Sequence, residues 1–146
     1  MEYLIEIGYL GLFLSAFLAA TILPLSSEAV LTVLLLEDFD VSTLIIVATT
    51  GNVLGSLTNY GIGYWLSIDA VKKVLSVSDN QLLKARERFH TYGLVSLCFA
   101  WVPIIGDPLT LIAGILRIRL VWFIILVTAG KLARYFFIVY FVSSVN

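Results

Sequence analysis

Trp101-Val102-Pro103-Ile104-Ile105-Gly106-Asp107-Pro108 lies within an apolar run that extends from Gly93 to Leu116. Without its prolines, glycine and carboxylate, this run would be typical of a membrane helix. Proline removes a backbone donor and clashes with the preceding turn, so Pro103, Gly106 and Pro108 predict a break in the helix. Hydrocarbon cannot hydrogen-bond the freed backbone groups, so the break must be covered by protein or face a water-filled cavity. Asp107, an ionisable residue at such a break, is therefore a candidate functional residue.

A second stretch of the same kind, Leu23-Pro24-Leu25-Ser26-Ser27-Glu28, occurs 79 positions earlier. In both stretches a proline precedes an acidic residue by four positions: Pro24 precedes Glu28, and Pro103 precedes Asp107. The same offset aligns Gly51 with Gly130, Asn52 with Lys131, and Gly55 with Arg134. These pairs predict a degenerate internal repeat in which a broken apolar segment is followed by one long apolar helix. Corresponding broken segments in two repeats are a sequence pointer to a transporter binding site.

The composition is that of a membrane protein. The chain has 146 residues, of which 60% are hydrophobic and 13% charged, and its mean hydropathy is +1.02. Soluble proteins average roughly 45–50% apolar and about 25% charged residues. The chain is therefore predicted to be an all-α polytopic membrane protein with a single domain over residues 1–146. A net charge of −1 gives no nucleic-acid footprint, and one cysteine with one histidine indicates no metal site or cofactor.

The positive charges are unevenly placed along the chain. All nine Lys and Arg residues lie at or after Lys72, whereas the charged residues before it are all acidic. The positive-inside rule then places the central stretch, residues 67–92, in the cytoplasm together with Arg117 and Arg119. The turn from Glu37 to Asp40 and both termini are expected on the opposite side.

The first broken segment, from Leu4 to Leu36, has two arms that are too short to cross a membrane separately. As helices, Gly8 to Leu23 would measure about 24 Å and Ser27 to Leu36 about 15 Å, against a hydrocarbon core of roughly 30 Å. A re-entrant hairpin, which enters and leaves on one face, fits these lengths better than two crossings. The alternative is one kinked transmembrane helix with Glu28 near its end.

Two longer segments, Thr43 to Leu66 and Leu120 to Val142, are predicted to cross the membrane. In the first, Gly51-x-x-x-Gly55 predicts a close-packing face for another helix. Asn59 fits helix packing, whereas Asn52, at the repeat position of Lys131, is expected to face a cavity. Repeat 1 then covers about residues 4–66, and repeat 2 about residues 93–143.

The central stretch, residues 67–92, is the only extended polar part of the chain. Ser78 followed by Gln81 resembles a capping box. Apolar residues then recur at helical spacing, at Leu82, Ala85, Phe89 and Tyr92. This pattern predicts one amphipathic helix on the membrane surface, where its basic residues would attract anionic headgroups. A solvated linker helix is the alternative.

Two cations, Lys131 and Arg134, interrupt the last span. They are three positions apart and share one face of a helix. A cation inside a membrane needs a partner or water. Snorkelling to the interface is the alternative, and it is weak for Lys131 because that residue lies near mid-span. We expect the shared face to look towards the hairpin tips, which carry Glu28 and Asp107.

If each half is a hairpin followed by a span, the two halves enter the membrane from opposite faces. This arrangement is an inverted-topology repeat about an axis in the membrane plane. The two re-entrant hairpins would then face each other near the midplane, with Ser26 or Ser27 close to Ile105 or Gly106.

Together, these stretches resemble the DedA family, also called the SNARE-associated or VTT-domain family, and in particular its short YqaA-like branch. The motifs that carry the resemblance are Leu23 to Glu28, Gly51 to Ser56 with Asn59-Tyr60, Trp101 to Pro108, Ala113-Gly114, and Gly130-Lys131 with Arg134-Tyr135. The resemblance implies two facing re-entrant hairpins in a bacterial or archaeal plasma membrane. It also implies lipid-related transport, because relatives are linked to recycling of undecaprenyl phosphate and to phospholipid scrambling, with embedded acidic residues suspected of proton coupling.

One part of the family pattern is changed in this chain. Glu28 matches the acidic position after the first proline, and Pro103 with Ala113-Gly114 matches the second motif. The arginines that usually flank the second proline are absent, since Ala100 and Gly106 occupy those positions. Lys131 and Arg134 are expected to supply the cations instead.

The leading functional prediction is a transporter or flippase for a lipid phosphate, and not an enzyme. Helix N-termini at the breaks favour anions, Lys131 and Arg134 are expected to contact the phosphate, and Glu28 and Asp107 to carry the coupling proton. Ser26, Ser27 and Asn52 complete the predicted substrate or coupling site. Membrane lipids are the expected partners, and the sequence is compatible with a homo-oligomer. The alternatives are a structural or quality-control membrane protein with a static charge network, and an intramembrane enzyme with Ser26 or Ser27 as nucleophile.

Overall fold

The computed structural model describes residues 2–21, 27–66 and 106–145, together with positions 69, 73, 78–80, 83, 84, 87, 91, 93 and 95. The three longer ranges hold five helices: α1 (Glu2–Ala19), α2 (Ser27–Leu36), α3 (Val41–Trp65), α4 (Gly106–Ile115) and α5 (Leu120–Val145). These described ranges contain no strand, as expected for an all-α protein. Two helices, α3 and α5, are long and apolar enough to cross a membrane, with 25 and 26 residues.

The helix ends differ from the predicted ones in α1, α3 and α5. α3 runs from Val41 to Trp65 instead of from Thr43 to Leu66. α5 continues to Val145, beyond the predicted end at Val142. α1 begins at Glu2 instead of Gly8 and ends at Ala19. The earlier start has a physical reason, because residues 2–7 contain no proline or glycine that would disfavour a helix before Gly8.

In the first broken segment a new helix starts at Ser27, as predicted, whereas in the second the new helix starts at Gly106, inside the predicted break. Pro24, Ser26 and Pro103 lie outside the described residues, so the expected meeting of the two hairpin tips stays a prediction. Gly106 and Pro108, predicted as part of the second break, instead belong to the first turn of α4. Proline is tolerated there because the first N–H groups of a helix have no intrahelical acceptor.

The helix pattern recurs with the 79-residue offset seen in the sequence. Ser27 at the start of α2 corresponds to Gly106 at the start of α4, and Val41 of α3 corresponds to Leu120 of α5. The correspondence in secondary structure agrees with the predicted internal repeat, while the repeat and its inverted topology stay predictions.

The turns that follow α2 and α4 also correspond. Asp38 and Arg117, which are 79 positions apart, both have a positive φ, of 60° and 53°. In the first turn the Phe39 N–H donates to the Leu34 carbonyl at 3.2 Å, and in the second the Ile118 N–H donates to the Ala113 carbonyl at 3.1 Å. Both bonds satisfy carbonyls that a helix end leaves open, as in a Schellman motif. The same local structure thus occurs twice, with an acid in one turn and an arginine in the other.

The chain divides into two compact units, of which the first comprises Met1–Gly55 and Lys131–Asn146. In this unit α1 packs against α2. The rings of Tyr9 and Phe39 are 5.2 Å apart at 78°, which places the first half of α1 beside the turn that follows α2. The two helices therefore form an antiparallel hairpin. Its core is a cluster of Leu12, Leu31, Leu44, Ala48 and Tyr135.

Small residues let α3 approach α1 closely within the same unit. A Cβ added to Gly51 would lie 2.5 Å from the Phe13 carbonyl oxygen, and one added to Gly55 would overlap that of Phe17. The contacts advance by four residues on both helices, so α1 and α3 run parallel here. The close-packing face predicted from Gly51-x-x-x-Gly55 is confirmed.

The second unit comprises Ser56–Gly130, and it contains the same kind of close contact. A Cβ on Gly63 would overlap the Leu111 carbonyl, and a Cβ on Gly114 would overlap the Tyr60 carbonyl. The order of these contacts makes α3 and α4 antiparallel. Asn59 Nδ2 donates to Thr110 Oγ1 at 3.2 Å, which confirms its predicted role in helix packing.

The central stretch is described only at isolated positions. Asp69, Lys73, Leu83, Lys84 and Glu87 are helical and exposed. The apolar positions of the predicted amphipathic helix, Leu82, Ala85, Phe89 and Tyr92, lie outside the described residues. The membrane-surface helix therefore stays a prediction.

Candidate functional site

The candidate site lies in the first unit, where the first turn of α2 meets the C-terminal half of α5. Glu28 Oε1 forms an ion pair with Arg134 Nη2. Beside this pair, the hydroxyl oxygens of Ser27 and Tyr135 are hydrogen-bonded at 3.0 Å. The first turn of a helix favours a carboxylate, so the position of Glu28 also suits the dipole of α2.

The two contacts differ in burial. Ser27 and Tyr135 are fully enclosed, whereas the side chains of Arg134 and Glu28 are 23% and 28% exposed. The hydrogen bond thus closes the inner part of the helix contact, and the ion pair lies at its outer edge. An ion pair in this position is reachable by a ligand, while its low-dielectric surroundings strengthen the attraction between the charges.

Lys131 lies on the same face of α5, three residues before Arg134 and four before Tyr135. Its side chain is only 2% exposed. This burial contradicts the snorkelling alternative, because a snorkelling lysine carries its ammonium group to the surface. Lys131, Arg134 and Tyr135 therefore form a polar stripe on a mainly apolar helix.

Asn52 has two roles in the first unit. Its Nδ2 donates to the Ala16 carbonyl at 3.1 Å, which ties α3 to α1. Its Oδ1, like Thr49 Oγ1 one turn earlier, is buried and has no hydrogen-bond partner among the described residues. The amide nitrogen thus serves helix packing, and the oxygens of Asn52 and Thr49 can accept a hydrogen bond from water or a polar ligand.

The structure does not place every predicted site residue. Ser26 is outside the described residues, and Asp107 belongs to the first turn of α4 in the second unit, with its side chain undescribed. The expected approach of Asp107 to Lys131 and Arg134 therefore stays a prediction. Of the predicted residues, Ser27, Glu28 and Arg134 take part in the described contacts of the site.

Tyr135 belongs to a motif that carries the family resemblance, but it was not among the predicted site residues. One signal for it was present, because it follows Lys131 by four positions and so shares its helix face. Its partner Ser27 is 108 positions away, and no local pattern indicates that pairing.

Comparison with known proteins gives one family and several relatives. Residues 23–144 match the VTT domain. The chain is 37% identical over 126 residues to the Inner membrane protein YqaA of Escherichia coli, in an alignment that covers 86% of this chain and 84% of the relative. It is also 37% identical over 132 residues to an uncharacterized protein of Haemophilus influenzae, covering 85% and 80%. An Alkaline phosphatase-like protein of Lactococcus lactis is 29% identical over 140 residues, covering 87% and 65%. No solved structure matches the chain.

Proposed function

We propose, from the premise that this chain belongs to the VTT-domain or DedA family of membrane proteins, that it moves a lipid phosphate across the plasma membrane of a bacterium or archaeon. The observation that carries the proposal is the partly exposed ion pair of Glu28 and Arg134 on two apolar helices. The name of the Escherichia coli relative, an inner membrane protein, supports the location. The charge placement supports a cytoplasmic central stretch.

The ion pair suggests how a phosphate could bind. A guanidinium group presents its N–H donors in a fork that fits a phosphate as well as a carboxylate. While Glu28 is ionised, it competes with the phosphate for Arg134. A proton on Glu28 removes this competition and makes the guanidinium available. The proton and the phosphate then bind together, so the proposed coupling is symport.

Helix lengths support a position of this pair deep in the bilayer. The ten residues of α2 measure about 15 Å, roughly half of a 30 Å hydrocarbon core. If the turn from Glu37 to Asp40 lies at the membrane surface, the start of α2 reaches the middle of the bilayer. The antiparallel α1–α2 hairpin would then be re-entrant, and Glu28 would meet the substrate near the midplane.

The neighbouring polar groups have supporting roles. The buried ammonium group of Lys131 adds positive potential beside Arg134 and so favours an anion. The hydrogen bond between Ser27 and Tyr135 fixes α2 against α5, which keeps the carboxylate and the guanidinium aligned. The buried oxygens of Asn52 and Thr49 offer hydrogen-bond acceptors to water that would carry the proton.

Reconstituted protein tests the proposal directly. Liposomes would contain a fluorescent polyprenyl phosphate in both leaflets, and the outer pool would be bleached with a membrane-impermeant reductant. We expect movement of the inner pool to depend on the protein and to speed up with a proton gradient in the same direction. Arg134→Gln should lower the rate at least about tenfold, which corresponds to losing about 1.4 kcal/mol of charge-assisted binding. Glu28→Gln should remove the response to the gradient.

Two exposed charges outside the site provide controls. Glu37→Gln removes a carboxylate and Lys84→Gln removes a cation, and both should leave transport unchanged because neither contacts the ion pair. If Arg134→Gln and Glu28→Gln transport like the parent protein, the proposed mechanism is wrong.

A static structural network is the second candidate, and the buried Ser27–Tyr135 bond next to the ion pair favours it. Replacing both charged partners by apolar residues of similar size is often tolerated when an ion pair is only structural. A Glu28→Met, Arg134→Met double variant that folds and still complements a strain lacking the protein would favour this second candidate over transport.

An enzyme with Ser27 as nucleophile has little support from these contacts. A serine nucleophile needs a positioned base. The described partner of Ser27 Oγ is the Tyr135 hydroxyl. A neutral phenol hydroxyl is a poor general base for this role.

A further inference from the structure

A cleft of about 620 Å³ opens in the second unit, where the end of α3 meets the turn between α4 and α5. Its wall on α3 includes Tyr60, Gly61, Tyr64 and Trp65, and Arg117 and Arg119 line it from the turn. A Cβ added to Gly61 would meet nothing within 4 Å, so this glycine leaves open space on the α3 wall. None of these residues belongs to the proposed transport site.

Arg117 is held over the cleft by an unusual backbone conformation. Its φ is 53°, at a helix end where glycine is the usual residue because a side chain is disfavoured there. The guanidinium carbon lies 4.5 Å from the centre of the Tyr64 ring, in a cation–π contact. The Tyr60 hydroxyl donates to the Ile118 carbonyl and ties the turn to α3. The turn therefore presents a cation at a fixed place on an aromatic wall.

The chemistry of the cleft is that of a headgroup site. Among the described residues that line the cleft, Arg117 and Arg119 carry a charge, and none is acidic. Trp65 is 81% exposed, and tryptophan and tyrosine are enriched at the headgroup level of membranes. Leu57 and Leu120 continue the wall, and the exposed Val121 and Ile125 follow on α5. A headgroup on the arginines would thus place its acyl chain along an apolar helix surface.

We propose that this cleft binds an anionic glycerophospholipid of the surrounding bilayer, with its phosphate on Arg117 and Arg119. Arginine suits the phosphate because of its planar set of donors, and stacking on Tyr64 uses the face of the guanidinium and not those donors. This inference does not depend on the proposed transport function, because the lipid here is a resident ligand at the membrane surface.

Fluorescence quenching in nanodiscs tests the proposal. A Trp101→Phe, Trp122→Phe variant keeps Trp65 at the cleft as its one tryptophan, since the chain has three. We expect brominated phosphatidylglycerol to quench Trp65 at a lower mole fraction than brominated phosphatidylcholine does. The ratio of the two mole fractions should be about five or more, from the usual attraction of one cation to anionic lipid. Arg117→Gln with Arg119→Gln should remove this preference. Gly61→Leu, which keeps both charges but fills the cleft, should reduce it as well.

A matched pair of control substitutions distinguishes a specific lipid site from general electrostatic attraction between cations and anionic lipid. Lys73→Gln with Lys84→Gln removes the same charge from exposed helical positions, and it should keep the preference. Equal quenching by the two lipids in the parent variant would overturn the proposal. So would a preference that Lys73→Gln with Lys84→Gln removes equally, or one that survives Gly61→Leu unchanged. Loss of the preference in millimolar inorganic phosphate would show that the cleft takes a free anion and not a lipid.

Discussion

At the scale of single residues, the contact between α2 and α5 rests on side chains whose polar groups satisfy each other. Ser27 and Tyr135 are both buried, and their hydroxyls are 3.0 Å apart. Burying a hydroxyl without a partner costs free energy, so the pairing permits a serine and a tyrosine at an apolar helix contact. In the same way, the ion pair of Glu28 and Arg134 permits two charged side chains at the edge of the contact between α2 and α5.

We expect Ser27→Ala and Tyr135→Phe to be energetically coupled. Each should lower the free energy of unfolding, and a double-mutant cycle should give a coupling of about 0.5–1.5 kcal/mol, the usual net value of one hydrogen bond. Reversible unfolding in mixed micelles would measure it. Tyr140→Phe is the control, because Tyr140 is 74% exposed on the same helix. Strictly additive losses would contradict the hydrogen bond.

Asp40 is a second residue whose role can be tested, because it caps α3. Its Oδ2 accepts hydrogen bonds from the Thr43 hydroxyl at 2.6 Å and the Thr43 N–H at 2.8 Å. These bonds hold the pKa of the Asp40 carboxyl below its ordinary value of 3.8, and the bond from the Thr43 hydroxyl contributes more than the bond from the N–H. The lowered pKa means that the cap contributes fully above that ordinary value and is lost as the pH falls through the folded-state pKa.

Asp40→Asn keeps a capping side chain that does not titrate in this range. The stability difference between the parent and this variant should therefore be constant from pH 7 to about pH 5. It should shift in favour of Asn as the pH falls below the ordinary pKa of aspartate. Thermal unfolding across this range is the measurement. Parallel curves for the two proteins down to pH 3 would contradict the cap.

At the scale of the elements, glycines decide where helices touch. Gly51 and Gly55 bring α3 onto the backbone of α1, and Gly63 and Gly114 bring α3 and α4 together. Helix association in lipid gains little from the hydrophobic effect, so close backbone approach supplies much of the attraction. The sequence predicted the first of these faces from its spacing. The second has its two glycines on different helices, and no spacing within one helix reveals it.

Gly51→Ala and Gly55→Ala should each destabilise the protein by about 1–3 kcal/mol, as overpacking usually does, because the new methyl group would press on a backbone carbonyl. Gly61→Ala is a control on the same helix, since its Cβ meets nothing within 4 Å. It should be neutral or slightly stabilising, as alanine favours a helix. Unfolding midpoints of the three variants measure this, and equal losses at all three positions would contradict the contact.

At the scale of the whole molecule, the main feature is the recurrence of local structure after 79 residues. Helix starts, turn conformations and hydrogen bonds recur after 79 residues. The equivalent turn positions carry opposite charges, Asp38 and Arg117. The positive-inside rule places loops with Lys and Arg in the cytoplasm, so the arginine turn is expected there, and the inverted topology stays a prediction.

Cysteine labelling tests that topology. In a Cys98→Ser background, Glu37→Cys and Ser78→Cys should react with an impermeant reagent from opposite sides of the membrane, with Ser78→Cys cytoplasmic. Glu37 is preferable to Asp38 because it avoids the strained positive φ of that position. Both positions are exposed. Labelling from the same side would contradict a single crossing by α3 and the inverted topology with it.

The sequence by itself determined the membrane class, the start of α2, the long helices α3 and α5 and the family, and it predicted the 79-residue repeat. These follow from composition, from proline and glycine chemistry, and from motifs, all of which act over short stretches of chain. Only the tertiary structure decided that Glu28 contacts Arg134, that Ser27 pairs with Tyr135, and that Asn52 uses its nitrogen to hold α1. It also showed that Gly106 and Pro108 belong to α4 and that a cleft lies beside Arg117. Such pairings depend on how each helix is rotated about its axis, and side-chain packing between distant parts of the chain sets that rotation.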